Sequence, residues 1–213
     1  MVLLKITVTN LREVLKTAVE TLKTGGIVAY PTETFYSLGV KFDLEQSLKI
    51  LYKIKQRPKD KAVPLIIGEK RLLASIASSI NSAAESLIDG FWPGPLTLLV
   101  PAGENISEWL TAGTRKVAVR VPGESFALEL ARHAGFPITS TSANISGLPP
   151  ARDVETVRKY FSDDIDLIVD GGEAPGGLPS TIVDTTGNGM RIVREGAIGK
   201  GYLLKHTHTT PSY

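Results

Sequence analysis

This sequence predicts an α/β (α+β) fold, a single domain with a twisted mixed β-sheet flanked by helices, and three observations support that reading. Short apolar runs bounded by glycine and proline alternate with amphipathic stretches along nearly the whole chain. The 213 residues are 42% hydrophobic and 22% charged, an ordinary balance for a chain that builds one core. No repeat of fixed period and no low-complexity linker divides it. The expected layout is one domain over residues 1–205, followed by a loose polar tail over 206–213.

The first helix is signalled by Asn10 in the N-cap position, Glu13 three residues later, and Leu11, Val14, Leu15, Ala18, Val19 and Leu22 at helical spacing. Gly25 and Gly26 stop it. Residues 27–30 read as a buried strand, which Pro31 ends by withholding a backbone donor, and the segment after Pro31 reads as a loop opening a site. Asp43 and Gln46 repeat the capping pattern before a helix carrying Leu44, Leu48, Leu51 and Ile54, which runs out ahead of Pro58. A strand over 63–67, helices over 71–79 and 82–89, and a strand over 96–100 follow, with a rigid junction at Phe91, Trp92, Pro93, Gly94 and Pro95. The pattern continues as a strand over 116–121, an amphipathic helix over 124–134, a short extended piece over 138–141 and a helix over 154–161. Strands over 167–169, 181–183 and 191–193, separated by glycine-rich turns, complete it.

The chain has no cysteine, so it has no disulfide framework, thiolate metal site or cysteine nucleophile, which fits a cytoplasmic setting. Charges soon follow the apolar start and no small-residue cleavage site is visible. No apolar run approaches the roughly 18 to 20 residues that cross a bilayer, so no membrane partner is expected. A net charge of +2 is too small to mark a nucleic-acid binder by itself. The GxxxxGK[ST], GxGxxG and HExxH signatures are absent. His133 falls on a predicted helix and His206 and His208 in the predicted tail; none is assigned as a metal ligand or base.

Three segments carry candidate chemistry. Tyr30 to Gly39, YPTETFYSLG, sets hydroxyls, a carboxylate and aromatics just beyond a buried strand, where open α/β sheets bind ligands. A polar turn capping its own backbone explains it equally well. Between Lys49 and Lys61 lie Lys49, Lys53, Lys55, Arg57, Lys59 and Lys61 against Asp60 alone, either a field for an anion or a solvated helix face. Lys55 and Arg57, two apart at the helix end, would converge on a phosphate once the backbone becomes extended. Ser140 to Gly147, STSANISG, crowds small donors and acceptors into one loop that suits phosphate or carboxylate oxygens, or its own turns. Ser180 follows a glycine-rich turn, and Arg120 and Arg194 end predicted strands, where a rim position is the plain alternative for Arg120.

Taken in order, YPTETFYSLG, KIKQRPKDK, FWPGPLT, KVAVRVP, TSTSAN, DLIVDGG, PSTIVD and IVREG resemble the Sua5/YrdC/TsaC family from about residue 25 to about residue 196. The resemblance implies a YrdC-like sheet with helices around a concave basic cavity, in the short single-domain form. It implies that L-threonine, bicarbonate and ATP are joined into threonylcarbamoyl-AMP, with release of pyrophosphate, for the threonylcarbamoyladenosine modification of tRNA. It carries the KxR and SxN signatures onto Lys55, Arg57, Ser142 and Asn144 as catalytic and ATP-binding residues, with Lys61 and Arg194 as further nucleotide contacts. Thr34, Arg120, Ser140 and Ser180 become the threonine contacts. Mg2+ would accompany ATP, and the implied partners are a downstream threonylcarbamoyl transferase complex and double-stranded RNA or tRNA.

The sequence departs from the family pattern at three places. Ser37 stands where many members have Gly, Glu195 where Pro is usual, and Gly68 where His is frequent, the last removing one expected threonine contact. Two competing readings are carbamoyl-adenylate formation from carbamoyl phosphate and a double-stranded RNA-binding or ribosome-associated module. The second lacks an RNP-like aromatic signature and a large positive charge.

Overall fold

The computed structural model describes residues 1–187 and 189–207, the last two by backbone alone. In chain order the elements are β1 (Val2–Lys5), α1 (Leu11–Lys23), β2 (Val28–Pro31), β3 (Tyr36–Gly39), α2 (Glu45–Ile54), β4 (Leu65–Ile66), α3 (Ser82–Phe91), β5 (Leu96–Pro101) and α4 (Glu108–Thr111). They continue as β6 (Lys116–Arg120), α5 (Phe126–Ala134), β7 (Ile138–Thr139), β8 (Thr141–Ser142), α6 (Val154–Phe161), β9 (Leu167–Asp170), β10 (Thr181–Asp184), β11 (Arg191–Arg194) and α7 (Lys200–Thr207), with 3-10 turns at Lys70–Ser75 and Ser162–Asp164. The mixed α/β class is as expected, and the strands divide between two mixed sheets. One has five strands in the order β1-β9-β2-β3-β8; the other has six in the order β11-β10-β5-β6-β4-β7.

Strand alternation sends side chains to opposite faces and so decides what each sheet packs against. In the five-stranded sheet, Val28, Tyr30, Leu167 and Val169 pack on the apolar stripe of α1 (Val14, Leu15, Ala18, Val19, Leu22) and on α5. The alternate residues Ala29, Leu38 and Ile168 join the larger core with Leu96, Leu98, Val100, Val117, Val119 and Val183 of the six-stranded sheet. The five-stranded sheet is therefore covered on both faces, while on the second face of the six-stranded sheet Ile66 and Ile138 pack on α5 and the β5, β6 and β10 portion is left for other use.

Two expected caps are not formed. Asn10 precedes α1, but its Oδ1 accepts from Thr7 N at 2.8 Å and its Nδ2 donates to Lys5 O at 2.9 Å, so its side chain ties down the β1–α1 connection. Helix α2 begins at Glu45, and Asp43 pairs with Lys41 at 2.5 Å. Side-chain caps do occur at Asn81, Ser125 and Asp153. The helix expected over 71–79 is the shorter 3-10 turn Lys70–Ser75.

Half of the segment read as a loop after Pro31 is strand β3, paired antiparallel to β2 with Tyr30 opposite Ser37. Helix α7 was not visible in the sequence. It is anchored by buried Leu203 and an edge contact between Phe91 and Tyr202 at 5.7 Å, and Glu195 Oε1 accepts from its first backbone N–H at 3.0 Å. The departure at Glu195 thus supplies the acceptor that the start of α7 uses. Residues 206 and 207 end this helix instead of beginning a tail; the rest of the expected tail, 208–213, lies outside the described residues. No helix among the described residues is long and apolar enough to cross a membrane.

Asp184, buried on β10, accepts from Lys116 Nζ at 2.7 Å, Arg191 Nη2 at 3.2 Å and both N and Oγ1 of Thr186. Burial by itself would raise its pKa, but these donors together hold the carboxyl well below the usual carboxylate range. A depressed folded pKa gives stabilisation that is complete above the unfolded value and is lost as pH falls through the folded one. Calorimetric melting of the wild type should therefore drop steeply from about pH 5 to pH 2, and Asp184→Asn should melt lower at neutral pH with a flatter acid limb.

Candidate functional site

The free portion of the six-stranded sheet's second face floors a cleft of about 610 Å³. Its floor follows from period-2 alternation: Thr97 and Leu99 of β5, Ala118 and Arg120 of β6, and Ile182 of β10 face it, while their neighbours face the core. Register places Ile182 opposite Thr97 and Ala118 opposite Leu99. A register shift between Ile182 and Val183 accompanies the presentation of both Val193 and Arg194 of β11 to the cleft. Further lining comes from the β2–β3 hairpin at Thr32, Thr34, Phe35 and Ser37, from Arg57, from the Ser140–Thr141–Ser142 stretch and from Ser180. Arg57, Arg120 and Arg194 line the cleft and, among the described residues, no carboxylate lines it directly, although Glu33 is ion-paired to the lining Arg120; this agrees with the expected basic cavity.

At the hairpin tip the Thr32 hydroxyl donates to Phe35 O at 2.8 Å and accepts from Thr34 N at 3.1 Å. The turn-capping reading therefore holds for Thr32, and the cap presents Thr34 to the cleft. Ser180 Oγ lies 2.8 Å from Thr97 Oγ1, and the Arg194 guanidinium donates to Ser180 O at 2.7 and 3.2 Å. Burial, and then the charge of Arg120, lowers the Arg194 pKa from its ordinary value. Ser140 Oγ donates to Ser37 Oγ at 3.4 Å, so the departure at Ser37 adds a hydroxyl beside a candidate substrate contact. Arg120 Nη1 donates to Glu33 Oε1, and Glu33 Oε2 is buried with no hydrogen-bond partner among the described residues.

Lys55 and Arg57 do not converge. Between them Gln56 takes φ 49°, a left-handed turn at the end of α2 that sends the two side chains to different places. Arg57 lines the cleft, its Nε donating to Lys61 O at 2.9 Å and its Nη2 to Ala62 O at 2.6 Å. Lys55 is 1% exposed and does not line the cleft. Its Nζ donates to Ser142 O at 2.5 Å and Asn144 O at 2.8 Å, and its own carbonyl accepts from Ser146 N at 2.8 Å. Desolvation, and then the neighbouring Arg57 charge, brings its pKa down to about 7.

Asn144 is likewise a tie within the loop: its Oδ1 accepts from Ser142 Oγ at 2.5 Å, and its Nδ2 donates to Leu148 O at 2.7 Å. Lys61 is exposed, and its backbone carbonyl, accepting from Arg57 and Tyr52, is what it contributes nearby. Of the expected site residues, the structure brings Thr34, Arg57, Arg120, Ser140, Ser142, Ser180 and Arg194 onto one cleft and leaves Lys55, Asn144 and Lys61 off its lining. Thr97 was missed; alternation in LTLLV, with leucine on either side, would have identified it. A Cβ at Gly68 would lie 2.6 Å from the backbone of Arg132, so this buried position abuts α5 and has no room for an imidazole side chain. Among the described residues no group of three or more His, Cys, Asp or Glu could hold a metal ion, and the exposed His133 bonds through Nδ1 to Glu129 O at 2.9 Å.

A family model described as "Telomere recombination", Sua5_yciO_yrdC, matches residues 20–196. The chain is 38% identical over 177 residues to a Threonylcarbamoyl-AMP synthase of Pyrococcus abyssi, a match covering 83% of this chain and 52% of that protein. It is 35% identical over 174 residues to a Threonylcarbamoyl-AMP synthase of Marinobacter nauticus, covering 81% and 92% respectively. The crystal structure of P. abyssi Sua5 complexed with L-threonine superposes with a TM-score of 0.88 at 34% identity, over 96% of this chain and 60% of that one. The match thus spans about half of the Pyrococcus relative and nearly all of the Marinobacter one. With seven of the ten expected site residues on one basic cleft and a family model spanning most of its length, the chain belongs to the Sua5/YciO/YrdC family.

Proposed function

We propose that this chain forms threonylcarbamoyl-AMP and pyrophosphate from L-threonine, bicarbonate and ATP, in the cytoplasm, for the threonylcarbamoyladenosine modification of tRNA. The observation that carries the proposal is the gathering of Arg57, Arg120 and Arg194 with the hydroxyls of Thr34, Ser140, Ser142 and Ser180 on one cleft. The names of the relatives and the L-threonine complex of P. abyssi Sua5 support it. The threonine amine joins the bicarbonate carbon with loss of water, giving a carbamate. A carbamate oxygen then attacks the α-phosphorus of ATP, and the bond to the β-phosphate oxygen breaks to release pyrophosphate.

Because the attacking oxygen is already anionic, no side-chain nucleophile is needed, and the protein's task is positioning and charge neutralisation. Arg57 and Arg194 are assigned to the phosphates, with the Ser142 hydroxyl beside them. Arg120 is assigned to the threonine carboxylate, with Thr34, Ser140 and Ser180 on its remaining polar groups. Lys55 and Asn144 act by fixing the loop that carries Ser142. Mg2+ is assigned to enter with ATP as part of the nucleotide substrate, sharing the charge of the pyrophosphate that leaves. The adenylate is a mixed anhydride, suited to a transferase complex that moves the threonylcarbamoyl group onto tRNA.

The test is to incubate the protein with MgATP, bicarbonate and single amino acids, measuring pyrophosphate and identifying the adenylate by mass spectrometry. Product requiring both bicarbonate and L-threonine is expected; product from carbamoyl phosphate instead, or RNA binding with no adenylate, would overturn the proposal. In the same assay Arg57→Ala should raise the KM for ATP at least about tenfold while lowering stability by no more than about 1 kcal/mol, since its own hydrogen bonds are to loop carbonyls. An unchanged ATP KM would remove Arg57 from the phosphate site.

A further inference from the structure

Glu33 stands at the tip of the β2–β3 hairpin between Thr32 and Thr34, both of which line the cleft. One of its oxygens is held by Arg120, which also lines the cleft, and the other has no donor among the described residues although it is buried. An unsatisfied buried carboxylate oxygen is costly, and such atoms in a folded protein call for an explanation. The side chains of the pair are still 19% and 11% exposed for Glu33 and Arg120, so the pair is not sealed in the core: Arg120 lines the cleft and Glu33 adjoins it through the ion pair. The charged and titratable groups around it are Arg120 on β6, Arg194 on β11 near Arg120, and the buried Tyr30 phenol on β2.

An amino acid is a zwitterion whose carboxylate and ammonium groups sit on one carbon. A guanidinium beside a carboxylate is the complement of that arrangement: Arg120 offers further N–H donors to the substrate carboxylate, and Glu33 Oε2 offers an acceptor to the ammonium. An ammonium has no lone pair, so the amine must lose a proton before it can reach bicarbonate. We propose that Glu33 binds the substrate ammonium through Oε2 and takes one proton from it. The N–H bond breaks, its electron pair stays on nitrogen, and Glu33 becomes the neutral acid. The C–N bond to bicarbonate then forms as a C–O bond breaks and water leaves with the second nitrogen proton; Glu33 returns its proton to solvent. This assignment rests on the proposed activity and adds to it a residue that reads and activates the amine.

The experiment follows kcat/KM for L-threonine against pH in the wild type, Glu33→Gln and Glu33→Asp, together with calorimetric binding of L-threonine and of 2,3-dihydroxybutyrate, which has a hydroxyl in place of the amine. Glu33→Gln is expected to lower kcat/KM for L-threonine about 100-fold at pH 7 with the KM for ATP nearly unchanged. That deficit should shrink by about tenfold per pH unit as the free amine becomes available in solution. Glu33→Asp should retain the wild-type pH profile at reduced rate. In binding, the wild type should prefer threonine and Glu33→Gln should not distinguish the two ligands. A deficit in Glu33→Gln that does not change with pH, or a retained preference for the amine, would overturn the assignment while leaving the activity standing. A wild type that forms no threonine-dependent adenylate would instead overturn the activity itself, and proton removal with it, before any variant is compared.

Discussion

Lys55→Met is expected to lower kcat/KM for ATP by about 100- to 1,000-fold and to lower stability by about 1 to 3 kcal/mol, because it removes the donor shared by two loop carbonyls. The Lys55 ammonium satisfies Ser142 O and Asn144 O, and the Lys55 carbonyl receives Ser146 N, so this one residue fastens the loop from both its side chain and its backbone. Methionine keeps the volume of the stem but takes the Lys55 donor from both acceptors, leaving Ser142 O with Asn144 N at 2.9 Å alone. The expected signature is faster amide hydrogen exchange over residues 142–148 together with a lowered melting temperature. Loss of ATP affinity with unchanged exchange in that loop would show Lys55 to be a direct phosphate ligand. The contrast with Arg57→Ala is informative, since Arg57 lines the cleft and its replacement should affect the nucleotide without loosening the loop.

Arg120→Ala is expected to cut kcat/KM for L-threonine about 1,000-fold and to cost about 3 kcal/mol of stability, because it strips Glu33 of the one donor it has among the described residues, in a largely buried setting. The two effects separate in a double variant. Arg120→Ala combined with Glu33→Ala should recover most of the lost stability, since no unpaired carboxylate remains, while turnover with threonine stays low. A melting temperature for the double variant as low as that of Arg120→Ala alone would show that the loss comes from the packing of the arginine stem and not from its charge.

What was legible in the sequence follows from what is local. The apolar face of α1 was named residue by residue because a 3.6-residue period writes it into the chain. The strands that hold the core were found for the same reason, at period 2. The hairpin strand β3 reads as loop in the sequence because YSLG is too short to alternate visibly; its pairing to β2 and β8 makes it a strand. Helix α7 has no amphipathic pattern of its own and depends on Leu203, on Tyr202 against Phe91, and on the Glu195 carboxylate.

The site was legible in its membership more than in its roles. Spacing suggested that Lys55 and Arg57 act together, but the left-handed Gln56 between them and a loop some ninety positions further along decide where each goes. The Arg120–Glu33 pair joins residues from different sheets, and no local pattern announces such a contact.

The register of β1 has a consequence for the order in which the molecule assembles. Val2 to Lys5 pair with Leu167 to Asp170 and with no earlier strand, so the first strand made has no partner until four-fifths of the chain exists. The β2–β3 hairpin, by contrast, closes across a tight turn and is available almost at once. On the ribosome, the substrate-facing hairpin is thus in place long before the strand that completes its sheet edge. Between those two moments β9 has not yet been made, so the β2 edge it covers in the native sheet is exposed to solvent and to other nascent chains.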